Sequence, residues 1–264
     1  NIITPTEIQC SVIPLLMNKT ADLVGQAQTG TGKTAAYGIP LLSKINPTKD
    51  VVQGLILCPT RELGQQIAKQ LFKFTKYTDK IFTEAVYGGE HISIQINSLK
   101  RPTHIIVATP GRLIDLIKKE AVSLLHVRTV ILDEADEMLS MGFKKELDEI
   151  LNYTSKADCK WLFSATMPHG IKEIVNEHLS KNAHRIEVSQ KDVVNKDISH
   201  QYMVCDEKEK LSKLLDLLKT EGNERGVVFC RTKKATQLLT KQLIAKNIAA
   251  DAIHGDLLQK ERDK

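Results

Sequence analysis

Several things are scarce in this sequence, and each scarcity excludes something. The five cysteines, Cys10, Cys58, Cys159, Cys205 and Cys230, are odd in number and scattered, and no two of them form a C-x-x-C pair. They supply neither a disulfide framework nor a zinc site, and they read as the reduced thiols of a cytoplasmic protein. No hydrophobic run approaches the roughly 20 apolar residues that cross a bilayer, so no membrane partner is expected. A charged-then-apolar leader of the secretory kind is also missing, and Asn1 stands where an initiator Met would be, so the chain is expected to begin late. Aromatic residues make up only 5% of the chain and do not interleave with basic ones. That argues against platforms on which nucleic-acid bases stack. Internal repeats and low-complexity tracts are missing too.

What is present describes an ordinary water-soluble α/β protein. Hydrophobic residues at 42% and charged residues at 26% are typical of a globular chain, and the net charge of +5 permits a nucleic-acid partner without requiring one. Short apolar runs alternate with amphipathic stretches: ADLVGQ, GLILCP, FTEAVYGG, THIIVATP, TVILDEAD, WLFSAT and HRIEVS. Most are apolar throughout, the pattern of strands covered on both faces. A mainly parallel sheet with helices on both sides is therefore expected over residues 1–188. Residues 189–200, SQKDVVNKDISH, are polar and weakly patterned and read as a linker. From residue 201 the alternation restarts. HQYMVC, GVVFC and IAADAIHG read as strands and KKATQLLTKQLIAKN as a helix. In EKEKLSKLLDLLK, Leu211, Leu214, Leu215 and Leu218 fall on one helix face. Three strands make a thin domain, and the chain stops at Lys264 inside what reads as another helix, so residues 201–264 are expected to be a partial second domain.

The stretch GQAQTGTGKTAAYG, residues 25–38, follows one strand and precedes a helix. That is the setting of a phosphate-binding loop, although the strict pattern G-x-x-x-x-G-K-[ST] fails because Ala27 stands at its first glycine. Gly30 and Gly32 open backbone conformations closed to larger residues. Amides at the helix start attract anions. Lys33 would neutralise the β- and γ-phosphates of a nucleotide, and the Thr34 hydroxyl would ligate Mg²⁺. Ala27 is small enough for the role if its φ is negative. An ordinary Gly/Thr turn is the alternative. VILDEAD supplies the acid that such a loop needs: Asp133 would hold the metal and Glu134 would orient or deprotonate an attacking water. The alternative here is a pair of acids favoured by a helix dipole.

These motifs together resemble the DEAD-box RNA helicase family. Asp133-Glu134-Ala135-Asp136 spells the signature, and AQTGTGKT has the family's loop form. PTEIQ (5–9), PTREL (59–63), GG (88–89), TPGR (109–112) and SAT (164–166) follow in the family's order, as do VVFCRT (227–232), HGD (254–256) and Gln259-x-x-Arg262. The resemblance implies two RecA-like domains, the second incomplete here and lacking the motifs that carry arginine fingers. It implies an ATP- and Mg²⁺-dependent enzyme that grips the backbone of single-stranded RNA and opens short duplexes locally. Nucleotide contacts would come from Gln9, which reads adenine, and from Gln28, Thr29, Gly30, Thr31, Gly32, Lys33 and Thr34. Ser164 and Thr166 would couple hydrolysis to domain closure by bonding towards the DEAD segment.

Family members often have Gly-Phe where Asn1-Ile2 stands here, and the aromatic that stacks on adenine would lie upstream of residue 1. Gly64 stands where the family usually has Ala. RNA contacts map onto Thr60, Arg61, Gly89, Thr109, Gly111 and Arg112. Arg231, Thr232, Gly255, Asp256, Gln259 and Arg262 would extend that surface.

The residues also have readings of their own. Thr4, Pro5 and Glu7 fit N-cap, N1 and N3 of a helix, which would make Gln9 an exposed helix residue. Ser164 and Thr166 could form a simple polar turn before Pro168. His254 reads as a strand-end residue. Thr109-Pro110-Gly111-Arg112 and Thr60-Arg61 read as capped helix starts whose amides and guanidinium groups suit phosphate. Binding is expected through phosphates and 2′-hydroxyls, with little sequence preference. Two other functions remain open: a module that binds ATP and RNA without turnover, and a phosphate-loop ATPase acting on DNA or protein.

Overall fold

The computed structural model describes residues 4–77, 80–188, 199–220, 222, 224–257 and 259–262. The chain divides into two compact units, Asn1–Lys191 and Asp192–Lys264.

In the first unit all seven expected runs form strands: β1 (Leu23–Gln26), β2 (Gly54–Leu57), β3 (Thr83–Val86), β4 (Ile105–Ala108), β5 (Thr129–Leu132), β6 (Cys159–Ser164) and β7 (His184–Glu187). They make one sheet in the order β3-β4-β2-β5-β6-β1-β7, and every pairing is parallel. Among the described residues eight helices accompany them: α1 (Glu7–Asn18), α2 (Lys33–Lys44), α3 (Arg61–Phe74), α4 (Ile92–Ser98), α5 (Pro110–Lys118), α6 (Ala135–Ser140), α7 (Lys144–Tyr153) and α8 (His169–His178).

Alternate strand residues point to opposite faces and found two cores. Leu55, Leu57, Val130, Leu132 and Leu162 pack with Leu113 and Leu116 of α5, Leu147 and Ile150 of α7, and Ile171 and Ile174 of α8. Ile56, Ile131, Trp161 and Phe163 pack with Ile8, Val12 and Leu16 of α1, Tyr37 and Leu41 of α2, and Ile67 and Leu71 of α3. Burial on both faces is why the runs read as continuously apolar.

The register places the strand ends together. Val86 lies beside Ala108, Ala108 beside Leu57, Leu57 beside Leu132, and Gln26 beside Ser164. In a parallel sheet all carboxyl ends share one edge, where such folds bind ligands. The segments that follow β1 to β6 hold every candidate residue of the first unit except Gln9 and Ser164, the last residue of β6.

In the second unit a short 3₁₀ turn (Glu207–Glu209) leads into α9 (Lys210–Thr220), followed by α10 (Lys233–Ala245) and α11 (Gln259–Arg262). Leu211, Leu214, Leu215 and Leu218 are half-buried along α9, as their spacing predicts. The three expected strands are a correction: among the described residues HQYMVC, GVVFC and IAADAIHG form no strand. A strand needs a neighbour for its amides and carbonyls, and none lies alongside. Phe229 is 94% exposed and Tyr202 93%. Their sequences have strand character, but no described residue of the unit pairs with them as a strand. Most of the expected linker, residues 189–198, and Asn1-Ile2 lie outside the described residues.

Candidate nucleotide and nucleic-acid site

The loop from Ala27 to Gly32 is fixed at both ends. The Ala27 amide donates to the Ser164 carbonyl at 3.1 Å, continuing the β1–β6 ladder one residue past the strand. Ala27 is buried and its φ is not positive, so alanine satisfies the position the motif gives to glycine. Gly30 and Gly32 adopt φ of +79° and +86°. At Gly32 a Cβ would also run into the Gln9 side-chain amide. Gly32 is the N-cap of α2 and offers no side chain, so the first amides of that helix are left to an outside acceptor. Lys33 is buried, and its ammonium donates to the Ala27 carbonyl at 3.2 Å, across the loop.

Gln9 belongs to this loop. It is 5% exposed, and its Nε2 donates to the Gly32 carbonyl at 3.1 Å. The helix cap expected at Thr4, with Pro5 and Glu7 inside, is displaced: Thr6 is the N-cap of α1, and its amide donates to Gln9 Oε1 at 3.1 Å. The Thr6 hydroxyl donates to the Thr31 carbonyl at 2.8 Å. Thr6 thus ties the helix start to the loop, which sets the cap two residues late and buries Gln9. The reading of Gln9 as an exposed helix residue is thereby overturned.

Beside the loop, Asp133 is 3% exposed. Its Oδ2 accepts from the Tyr37 hydroxyl at 2.8 Å, while Oδ1 is buried without a hydrogen-bond partner. Burial raises the Asp133 carboxyl above the usual range; the Lys33 charge and the Tyr37 hydrogen bond oppose the shift without cancelling it. A buried oxygen with no donor, near a hydroxyl and a lysine, fits a divalent cation with oxygen ligands. Glu134 follows with φ +53°, ψ +51°, a left-handed conformation that costs a non-glycine residue about 1–3 kcal/mol. Burial, and then the Asp133 charge, raise its carboxyl as well.

Ser164 and Thr166 meet the fourth residue of the signature. Asp136 Oδ2 accepts from the Thr166 amide at 2.9 Å and from its hydroxyl at 2.7 Å. The Asp136 amide donates to Ser164 Oγ at 3.2 Å, and that hydroxyl donates to the Thr166 carbonyl at 2.8 Å. Burial raises the Asp136 carboxyl, but these hydrogen bonds outweigh it and leave the group below its ordinary range. This is a link between β6 and α6, not an isolated turn.

The other expected residues gather beyond β2, β3 and β4. Thr60 caps α3, its hydroxyl accepting from the Leu63 amide at 3.2 Å. The Arg61 guanidinium lies 4.9 Å from the centre of the Tyr87 ring. At Gly64 a Cβ would approach Cys58 Sγ at 3.2 Å, so glycine lets α3 sit close to β2. Thr109 and Pro110 are N-cap and N1 of α5, and no side chain caps that helix start. Gly89 has φ +85° with open space around it, and Gly111 is similarly uncrowded.

Arg112 has partners within the fold. Its NH1 donates to Gln95 Oε1 and its NH2 to the Glu90 carbonyl, both at 2.9 Å. Gln95, 2% exposed, donates in turn to the Tyr87 carbonyl at 3.0 Å and to Glu90 Oε2 at 2.9 Å. Both terminal nitrogens of Arg112 are therefore engaged in holding the loop that carries Gly88 and Gly89.

In the second unit Thr232 caps α10, Lys233 pairs with Asp256, and Arg262 NH2 donates to the Gly255 carbonyl at 3.1 Å. His254 bonds Gln237 at 3.0 Å and lies on no strand. Tyr37, Gln95 and Tyr87 escaped the sequence reading. The only available signal was for Tyr37, an aromatic one helical turn after Lys33.

The DEAD/DEAH box helicase family model matches residues 6–174, and the helicase conserved C-terminal domain model matches residues 209–264. The chain belongs to the DEAD/DEAH box helicase family. It is 43% identical over 257 residues to the DEAD-box ATP-dependent RNA helicase CshA of Bacillus cereus, covering 97% of this chain and 48% of that protein. With the CshA of Bacillus subtilis it shares 43% over 258 residues, 97% of this chain and 51% of that one. The chain thus spans about half the length of the curated relatives it matches. Among solved structures it resembles a DEAD box protein from the hyperthermophile Methanococcus jannaschii (TM-score 0.67, 39% identity), covering 98% of this chain and 69% of that one. A hypothetical ATP-dependent RNA helicase from Sulfolobus tokodaii gives a TM-score of 0.64 at 33% identity, with 98% and 73% covered.

Proposed function

We propose that this chain is the ATP-binding and RNA-gripping part of an ATP-dependent RNA helicase that separates short duplexes locally. One observation carries the reading: the unpartnered Asp133 Oδ1, buried beside a glycine loop that bears Lys33. Amides from Gln28 to Thr34 and the Lys33 ammonium hold the β- and γ-phosphates, and Gln9, fixed on Gly32, reads adenine. Thr34 and Asp133 would hold Mg²⁺, which would neutralise charge on the phosphate oxygens. Glu134 orients the attacking water and accepts its proton. Asp136 carries loss of the γ-phosphate through Thr166 and Ser164 to β6.

Single-stranded RNA lies across the helix starts at Thr60 and Thr109 and along Gly89 and Gly111, with Arg61 on its phosphates and Arg112 shaping the Gly89 loop. In the second unit, Arg231, Thr232, Gly255, Asp256, Gln259 and Arg262 are assigned RNA contacts of their own. Recognition through backbone amides and phosphates implies little sequence preference. A cytoplasmic setting belongs to the same reading.

The test is ATP turnover by this chain and by a version extended at its C-terminus, each with and without single-stranded RNA and DNA. RNA-specific stimulation of either chain supports the proposal. Equal stimulation by DNA, or none in both chains while Mg·ATP still binds, would replace it with a phosphate-loop ATPase of another kind. Binding of ATP and RNA with no turnover in either chain would leave a binding module. Within the active chain, Glu134→Gln is expected to keep Mg·ATP binding and to lower turnover at least a hundredfold, the range for one general base.

A further inference from the structure

Tyr37 stands four residues after Lys33 on α2, so the two share one face of the helix. It is the one fully buried tyrosine among the described residues. Its ring packs at 48° on Phe163 of β6, with centroids 5.3 Å apart. Phe163 in turn occupies the space of a side chain at Gly25, its ring 2.8 Å from where a Cβ would be. The phenol oxygen is therefore tightly held. It donates to Asp133 Oδ2 at 2.8 Å. Its partner is one of the two side chains that the function proposed above assigns to Mg²⁺.

We propose that Tyr37 is a positioning residue for that ligand: its hydroxyl occupies Asp133 Oδ2 and reserves Oδ1 for the ion. This inference rests on the proposed function. Packing alone would be served by phenylalanine, which has the same ring. The hydroxyl is what a buried carboxylate requires, and it satisfies only one of the two oxygens. Pairing one oxygen and leaving its twin bare is the arrangement expected when a ligand completes the set. Partners that orient metal-binding side chains in this way typically affect metal affinity by about 10–100-fold.

The test is Tyr37→Phe in the whole 264-residue chain. The readout is the Mg²⁺ concentration at half-maximal binding of a fluorescent ATP analogue, alongside the affinity for that analogue in EDTA. The midpoint is expected to rise about tenfold while the EDTA affinity stays unchanged. An unmoved midpoint overturns the inference, and so does an equal loss with and without Mg²⁺, which would mark Tyr37 as a packing residue. If the wild-type chain itself shows no Mg²⁺ dependence, the proposed function fails and takes this inference with it. Should Tyr37→Phe not fold, 3-fluorotyrosine in the wild-type chain replaces it. The buried tyrosine, recognised by its resistance to a soluble paramagnetic agent, is expected to shift when Mg²⁺ joins the ATP-bound protein. An unmoved signal overturns the proposal.

Discussion

At the residue scale the site is a set of local conflicts that a ligand would relieve. Asp133 is the clearest. Its folded-state carboxyl is raised above the ordinary range by burial, so the charged form weakens the fold. The sign follows from linkage: a raised carboxylate costs stability above its folded pKa, and the cost vanishes below its unfolded pKa near 3.9. Asp133→Asn is therefore expected to stabilise the ligand-free protein at neutral pH, on the order of the 1–3 kcal/mol that an unsatisfied buried group costs. The gain should shrink as pH falls, and Mg²⁺-dependent nucleotide binding should disappear. Denaturant melts of both proteins from pH 7 to pH 4 check this. A gain that persists unchanged at pH 4 would mean that something other than the charge is responsible.

Gly32 is a second conflict, in sterics. Its φ of +86° is costly for any side chain, and a Cβ would meet the Gln9 amide. Gly32→Ala should destabilise by about 1–2 kcal/mol from the backbone alone, with more from the collision. Adding Gln9→Ala should recover the second part and leave the first. If the double variant is no better than Gly32→Ala by thermal melting, Gln9 is not the obstacle.

At the element scale, loops are held by side chains from neighbouring elements. Arg112 and Gln95 grip the turn between β3 and α4 from two helices. Arg112→Ala should weaken RNA binding roughly tenfold, about the worth of one or two such bonds. The loss should be the same for every RNA sequence. The salt dependence decides between direct phosphate binding and positioning. Removing a cation that sits on a phosphate lowers the slope of log K against log salt by about one, whereas loosening a loop leaves it unchanged. An unchanged slope is expected, and a drop of about one would restore Arg112 to the phosphates. The α7–α8 pair shows the same principle in a different use. Asp148, Glu177 and His178 cluster closely enough to suggest a metal, but the Lys144 ammonium already sits 2.9 Å from Asp148 and 3.7 Å from Glu177. That cluster is a staple between helices.

Elements also explain what could be read in advance. The five inner strands of the first unit were legible because burial on both faces forces unbroken apolar runs, while the edge strands β3 and β7 are only partly buried, and the residues that punctuate the runs, glycine, proline and acid, make up the candidate site. The alternative that made Gln9 an exposed helix residue failed because Thr6 answers to Thr31, twenty-five positions away, which no local capping rule contains. The engagement of Arg112 and the buried Tyr37–Asp133 pair are likewise contacts between distant segments. Motif and period reveal which residues arrive at the edge of the sheet; they do not reveal which of them bond to one another.

At the scale of the whole molecule the two units differ in how much they bury. Of the described buried hydrophobic residues only Leu243 lies in the second unit. Burying one Leu, Ile, Val or Phe side chain contributes about 1.5–3 kcal/mol, so a unit with one such residue has little to offset its chain entropy. The first unit has two complete cores. Amide hydrogen exchange should therefore split sharply. Amides of β1, β2, β4, β5 and β6 should exchange only on global unfolding, while those of α9 and α10 exchange through local opening of far lower free energy. A chain ending at Lys191 should keep the melting transition and the nucleotide affinity of the 264-residue protein. If α10 proves as slow as β5, or if removal of residues 192–264 lowers the melting temperature by several degrees, the second unit contributes to the stability of the first. The stability of the nucleotide site would then rest on more than the seven-stranded sheet and its helices.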